Sequence, residues 1–259
     1  MAEQRFIYGF HAVIAKLRHS PDDVREIFLD QERSDGRARD LIKLAETHGV
    51  HLILSAAARL DGMAGGVPGA GGQSARHQGV VARVAATQRV LKLDDVLDTL
   101  AEPALLLVLD GVQDPHNLGA CLRVADAAGV HAVIAPKDRA CGLNATAIKV
   151  ASGAAESVPF ITVTNLARTL RELNEREILT IGAAAEAEGD LYSVDQTGAL
   201  AWVLGAEGGG LRRLTRETCD RLARIPMQGS VESLNVSVAS GICLYEARRQ
   251  RLVASQVAN

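Results

Sequence analysis

Aromatic residues are scarce, at 3% of 259 positions. A core must therefore be built from Ala, Val, Leu and Ile, which the 47% hydrophobic content supplies in quantity. Long apolar runs are also missing: none exceeds six residues, as in Ala104 to Leu109. That is far short of the roughly 20 needed to cross a bilayer. The first 20 residues carry charges and no secretory apolar segment, so the sequence predicts a soluble, cytoplasmic chain with no membrane partner. The four cysteines, Cys121, Cys141, Cys219 and Cys243, form no CxxC pair. They read as reduced thiols, not as a disulfide framework or a zinc site. A net charge of −3 provides no broad basic surface for coating nucleic acid by charge alone, and no DNA partner is expected. Small basic groups, Lys137, Arg139 and Lys149 and then Arg212, Arg213 and Arg216, are compatible with a local cleft or with a solvated face.

What is present falls into two parts. Residues 1 to 82 alternate helical and β-rich runs ("GFHAVIAKLR", "VREIFLD", "RARDLIKLAETHG", "VHLILS", "GVVARVA"), predicting a small α/β domain. Within it, "GMAGGVPGAGGQ" (62 to 73) reads as a surface loop, since no helix start with Lys and Ser or Thr follows to make a phosphate cradle. A linker with one short helix spans 83 to 101. From 102 to 259 the pattern changes. Continuous apolar strands, such as "ALLLVLD", "VHAVIAP", "VPFITV", "ILTIGAAA", "ALAWVLG" and "ARIPM", alternate with helices, "NATAIKVASGAAE" among them. Strands buried on both faces make a parallel sheet in an α/β fold.

Ligands of open α/β sheets sit beyond the carboxyl ends of the strands, and three turns there are unusual. In "DGVQDPHNLGACLR", Asn117 stands near a helix start, where it either caps the helix or faces the crevice. Arg123 lies about two turns further on, beside apolar Leu122, Val124 and Ala125. In "LGAEGGGLRR", Glu207 is enclosed by glycines directly after a strand. This is a plain turn or a place where a cofactor meets the backbone, and it does not match the GxGxxG fingerprint of a nucleotide-dependent oxidoreductase. In "IPMQGSVESLNVS", Ser233 could cap a helix starting nearby, which leaves Asn235 and Ser237 unexplained. His11, His77 and His116 lack ligand spacing, and Asp110 and Asp114 read as turn-shaping residues, so no metal is expected.

Together, "NLGACLR", "GAEGGG" and "IPMQGSVESLNVS" resemble the three motifs of the SpoU/TrmH family of RNA ribose 2'-O-methyltransferases. "YGFHAVIAKL" and "HQGVVA" resemble the N-terminal domain of the branch that methylates a guanosine in 23S rRNA. The resemblance implies a C-terminal SPOUT domain with a deep trefoil knot and a small L30e-like RNA-binding domain before it. It implies S-adenosyl-L-methionine as cofactor, held by Leu204, Gly205, Ile225, Met227 and Leu234. It places Arg123, Asn117, Glu207, Asn235 and Ser233 in catalysis, with Ser237 in support. Arg123 is the residue tied to activating the ribose hydroxyl. A guanidinium is a poor base, so orienting a phosphate or stabilising an alkoxide suits it better. A homodimer formed through the C-terminal domain and 23S rRNA as substrate are implied as well. A tRNA ribose methyltransferase of the same family and a non-catalytic rRNA-binding assembly protein are the alternatives.

Overall fold

In the computed structural model, residues 4–64, 77–85 and 92–257 are described. The chain divides into two compact units, residues 1–89 and 90–259.

The first unit runs β1 (Gln4–Tyr8), α1 (Phe10–His19), β2 (Val24–Asp30), α2 (Gly36–Thr47), β3 (His51–Ser55), α3 (Ala57–Met63) and β4 (Val80–Ala85). Its sheet has the order β1-β4-β2-β3, with β4 antiparallel to both neighbours and β2 parallel to β3. The period-two alternation that marks these strands sends Ile7, Ile27, Leu29, Ala82 and Val84 to one face. There they pack on Phe10, Val13 and Leu17 of α1 and on Leu41 and Ala45 of α2. Phe28 and Val81 point to the other face, under Leu60 of α3. Of the glycine-rich stretch expected as a loop, Gly62 and Met63 instead close α3, and positions 65–73 lie outside the described residues. So do positions 86–91 of the expected linker.

The second unit comprises α4 (Leu93–Leu97), β5 (Leu105–Asp110), α5 (Pro115–Ala127), β6 (Ala132–Pro136), α6 (Ala145–Ala151), α7 (Ala154–Ser157), β7 (Phe160–Val163), α8 (Leu166–Glu175), β8 (Leu179–Ala183), β9 (Leu200–Gly205), α9 (Arg213–Thr218), β10 (Arg221–Ala223) and α10 (Val236–Val257). Six strands in the order β10-β8-β9-β5-β6-β7 pair in parallel throughout. The central strands β5 and β9 are buried from end to end, apart from Gly205. That burial explains their continuous apolar character. One face packs Leu105, Leu107, Leu109 and Trp202 against α5, α6 and α10; the other packs Leu106, Val108 and Val203 against Leu166, Leu170 and Leu173 of α8. The buried Trp202 keeps its indole N–H satisfied on Gln196 Oε1 at 3.0 Å.

Three sequence expectations need correction. "NATAIKVASGAAE" is two helices, because Ser152 (φ 54°) and Gly153 (φ 100°) are left-handed in succession and stop α6. "ARIPM" is not a strand: β10 ends at Ala223. Pro226 cannot donate to a ladder, and the Arg224 N–H turns to Gly189 O at 3.0 Å. The final helix begins at Val236, so Ser233 does not cap it.

Candidate active site

β5 and β9 end side by side, with Asp110 opposite Gly205 in the register. The chain leaves β5 toward β6 and β7, then returns on the far side of β9. The carboxyl ends of β8, β9 and β5 therefore border a topological switch point. A cavity of about 490 Å³ lies there, within the size range of small-molecule sites. Leu204, Gly205, Ile225, Met227 and Leu234 all line it, as do Glu207 and Ser233.

Its wall is the turn from Ala206 to Leu211, which is closed by the Gly210 N–H donating to Ala206 O at 3.0 Å. Gly205 has no room for a side chain: a Cβ there would stand 2.0 Å from the Gly210 carbonyl carbon. The far end of the turn is fixed by Asp110, a buried carboxylate that accepts from the Arg212 backbone N–H at 2.9 Å and from its Nε at 2.5 Å. This anchor was missed in the sequence. Its only signal was an acidic residue closing an otherwise apolar strand.

At the edge of this wall three distant residues form a closed polar ring. Asn117 Nδ2 donates to Glu207 Oε1 at 2.9 Å. Asn235 Nδ2 donates to the same oxygen at 2.6 Å and to Asn117 Oδ1 at 2.9 Å. Local structure explains how each arrives. Asp114, not Asn117, caps α5 by accepting from the His116 N–H, which frees the Asn117 side chain in the first turn. Asn235 is itself the cap of α10: its Oδ1 accepts from the Ser237 backbone N–H at 2.9 Å and from Ser237 Oγ at 2.6 Å. Its acceptor serves the helix and its donor serves the ring, so both ends of the amide are used. That accounts for the polar alternation of "SLNVS".

Gly119 brings α5 against α6, where a Cβ would meet Ala147 O and Val150 Cβ at 2.6 Å. Arg123 follows one turn later along the same stripe, about 120° around the helix from Asn117. The apolar neighbours of Arg123 do not bury it: the side chain is exposed, does not line the cavity, and makes no hydrogen bond or ion pair among the described residues. Asp126, which could have paired with it, accepts from Ser157 Oγ at 2.5 Å. Ser233 is exposed at the cavity edge.

The acidic groups Glu186 and Glu232 also line the cavity; Glu186 is paired with Arg216. Among the described residues no group of three or more His, Cys, Asp or Glu could hold a metal ion, and no helix is long and apolar enough to cross a membrane. Burial raises the Cys121 thiol, one turn along α5 from Asn117, to about 11, leaving it a poor nucleophile.

Fold and cavity define an α/β protein with a ligand site at the carboxyl edge of a parallel sheet, preceded by a separate α/β unit. Residues 104–245 match the model of the SpoU rRNA Methylase family, and residues 6–90 match the RNA 2'-O ribose methyltransferase substrate binding domain. The chain belongs to the SpoU rRNA methylase family. It is 60% identical over 253 residues to the 23S rRNA (guanosine-2'-O-)-methyltransferase RlmB of Ralstonia nicotianae, covering 98% of both chains. It is 56% identical to the protein of that name from Escherichia coli K12, covering 95% of this chain and 98% of the relative. Among solved structures it is similar to the SpoU methyltransferase AviRb from Streptomyces viridochromogenes in complex with the cofactor AdoMet. That match has a TM-score of 0.73 at 26% identity and covers 96% of this chain and 91% of the other.

Proposed function

We propose that the chain transfers a methyl group from S-adenosyl-L-methionine to the ribose 2'-oxygen of a guanosine in 23S rRNA. The observation that carries this reading is the Asn117–Glu207–Asn235 ring beside a cavity of cofactor size, in a chain alike over nearly its whole length to enzymes named for that reaction. The residues fit the cofactor. Leu204, Ile225, Met227 and Leu234 offer an apolar bed for an adenine, Gly205 exposes backbone to it, and the carboxylates of Glu207 and Glu232 lie where a cationic donor gains by Coulomb attraction. When bound, the cofactor supplies a methyl group already activated by its sulfonium charge.

The protein's own task is then to position the ribose and ease loss of its hydroxyl proton. The ring holds three loops in one arrangement, so Asn117, Glu207 and Asn235 fix the edge against which the ribose would rest. Arg123, without a hydrogen-bond or ion-pair partner among the described residues, orients a backbone phosphate or stabilises the developing alkoxide. Ser233, exposed at the same edge, contributes a hydroxyl to the substrate.

The chain acts as a homodimer. On α10, Val238, Tyr245 and Leu252 are exposed at seven-residue spacing, an apolar stripe suited to a second copy. The first unit binds the RNA, in line with the family model it matches. The threaded crossing belongs to the same reading. It is supported by Arg224, which donates to Gly189 O at 3.0 Å and accepts from the Leu191 N–H at 2.9 Å, so that the segment after β10 runs against the β8–β9 connection.

The test incubates the protein with labelled S-adenosyl-L-methionine and undermodified 23S rRNA, then maps ribose methylation. Label at one guanosine is expected. Label entering tRNA instead overturns the substrate, and no label in either RNA overturns the enzymatic reading in favour of a binding-only assembly protein.

A further inference from the structure

The second face of the first unit's sheet is only partly covered. Cross-strand neighbours share a face, so the register assigns its side chains row by row. Tyr8, Val81, Phe28 and Ile53 form one row across β1, β4, β2 and β3. Leu60 and Met63 of α3 pack with it. The adjacent row on the same face is Phe6, Arg83, Glu26 and His51. This row is more open among the described residues: Phe6 is 41% exposed, His51 is exposed, and the side chains of Arg83 and Glu26 keep 34% and 28% of their surface.

The composition of this row is specific. Glu26 Oε1 accepts from Arg83 Nη2 at 2.8 Å, which fixes the plane of the guanidinium. Phe6 stands directly opposite Arg83 in the ladder, so the ring and the planar cation have Cβ atoms about 5 Å apart. Beside Glu26 the register slips, because Arg25 is an extra residue between Val24, opposite Val84, and Glu26, opposite Arg83. A bulge of this kind re-aims side chains. It lets Val24 and Ile27 both reach the core while Glu26 faces Arg83, and it leaves Arg25 as an exposed cation at the row's margin. Arg83, Arg25 and Glu26 together carry a net positive charge, which complements a polyanion.

Unpaired RNA bases stack on aromatic rings and on guanidinium planes presented by a sheet. We infer that the row Phe6, Arg83, Glu26 and His51 is a stacking platform for an unpaired nucleotide of the RNA substrate. Phe6 and Arg83 supply the surfaces, Glu26 positions Arg83, and Arg25 meets the adjoining phosphate. The inference rests on the reading that this chain acts on RNA, and it assigns a contact outside the cavity of the second unit.

The full-length chain carrying Phe6→Leu keeps apolar volume and loses the π face. Its affinity for undermodified 23S rRNA is expected to fall by about tenfold, the scale of one lost stacked base. KM for RNA rises in step, while kcat at saturating RNA, S-adenosyl-L-methionine affinity and the melting curve match the parent. Arg83→Lys, which keeps the charge but not the plane, weakens binding too. Phe6→Trp retains affinity, and its added fluorescence is quenched by RNA, whereas the buried Trp202 gives a constant background. The inference is overturned if Phe6→Leu and Arg83→Lys bind as the parent does, or if the Trp signal ignores RNA while the parent still methylates it. A parent that neither binds nor methylates RNA overturns the functional reading and this inference with it.

Discussion

The end of β9 and the turn after it contain four glycines, Gly205, Gly208, Gly209 and Gly210, that the sequence presents as equivalent and the structure does not, so alanine substitution should separate them. At Gly205 the new Cβ would lie 2.0 Å from Gly210 C, 2.1 Å from Gly210 O and 2.4 Å from Leu211 N. Ordinary contact begins near 3.4 Å, so the backbone of residues 210 and 211 must retreat by more than an ångström. It is pinned on both sides, by Gly210 N–H on Ala206 O and by Arg212 N–H on Asp110. Overpacking costs about 1–3 kcal/mol and each broken hydrogen bond about 1 kcal/mol more, so Gly205→Ala should lose about 3 kcal/mol or more. Gly208, with open space but φ of 78°, should lose about 1–2 kcal/mol. Gly209 has open space and no left-handed backbone, and its alanine variant should stay within about 0.5 kcal/mol. Urea denaturation measures these differences. Calorimetry with S-adenosyl-L-methionine should show Gly209→Ala binding as the parent and Gly205→Ala losing at least about tenfold, equivalent to 1.4 kcal/mol. If Gly205→Ala binds and unfolds like the parent, the cavity wall is not built as described.

Other consequences can be checked independently. Glu207→Ala leaves the buried Asn117 amide without its acceptor and should cost about 1–3 kcal/mol and most of the methyl transfer. Glu207→Gln can still accept from both asparagines and should unfold like the parent; equal loss in the two variants would show that the ring is not held by hydrogen bonding. Burial raises Cys121 to about 11 and Cys219 to about 12 and pushes Cys243 higher still, so a thiol reagent at pH 8 should leave them unmodified until the protein unfolds. Rapid modification of Cys121 in the folded protein would contradict this. The Arg249 hydrogen bond, opposed by burial and aided by Gln250, holds the Glu246 carboxyl below its ordinary 4.5. A depressed folded value stabilises above about 4.5, and that contribution is lost as pH falls through it. Glu246→Gln should therefore flatten the acid limb of a pH-stability curve, and an unchanged limb would refute the pairing.

How far the sequence reached depended on whether the signal was local. β5 and β9 were legible because strands buried on both faces must be continuously apolar. The glycines of "LGAEGGG" are legible as backbone allowance, though not as one excluded Cβ, at Gly205, and two left-handed residues, Gly208 and Gly210. Asn117, Glu207 and Asn235 are singled out by the sequence, but their mutual contact is not, since it joins residues 28, 90 and 118 positions apart that only the tertiary fold brings together. The cap of α10 was misplaced by two residues. Ser233 and Asn235 have equal capping chemistry, and only the ring decides which side chain stands at the helix end. Arg123 was expected among buried neighbours. Leu122 and Ala125 are indeed buried and Val124 half-buried, but helical geometry turns Arg123 outward. Asp110 passed as a turn former because its partner Arg212 lies 102 positions on.

The polar ring also depends on an element that reaches well beyond it. α10 spans 22 residues, about 33 Å, with Asn235 capping one end. Toward the other end Arg251 donates to the carbonyls of Pro103, Ala104 and Gly198 at 2.9, 2.8 and 2.6 Å, and Arg248 donates to Ala128 O at 2.5 Å. These carbonyls precede β5, precede β9 and end α5. The helix is thus tied to the amino edge of the same two strands whose carboxyl edge carries the cavity. A side chain at the tip of a helix fixed only at that tip would move with every fraying turn, whereas one fixed at both ends holds its atoms to the tolerance a shared hydrogen-bond ring needs. Arg251→Met, far from the cavity, should therefore weaken S-adenosyl-L-methionine binding as well as lower stability. A variant that loses stability but keeps parental affinity would show that the ring positions Asn235 without help from the far end of the helix.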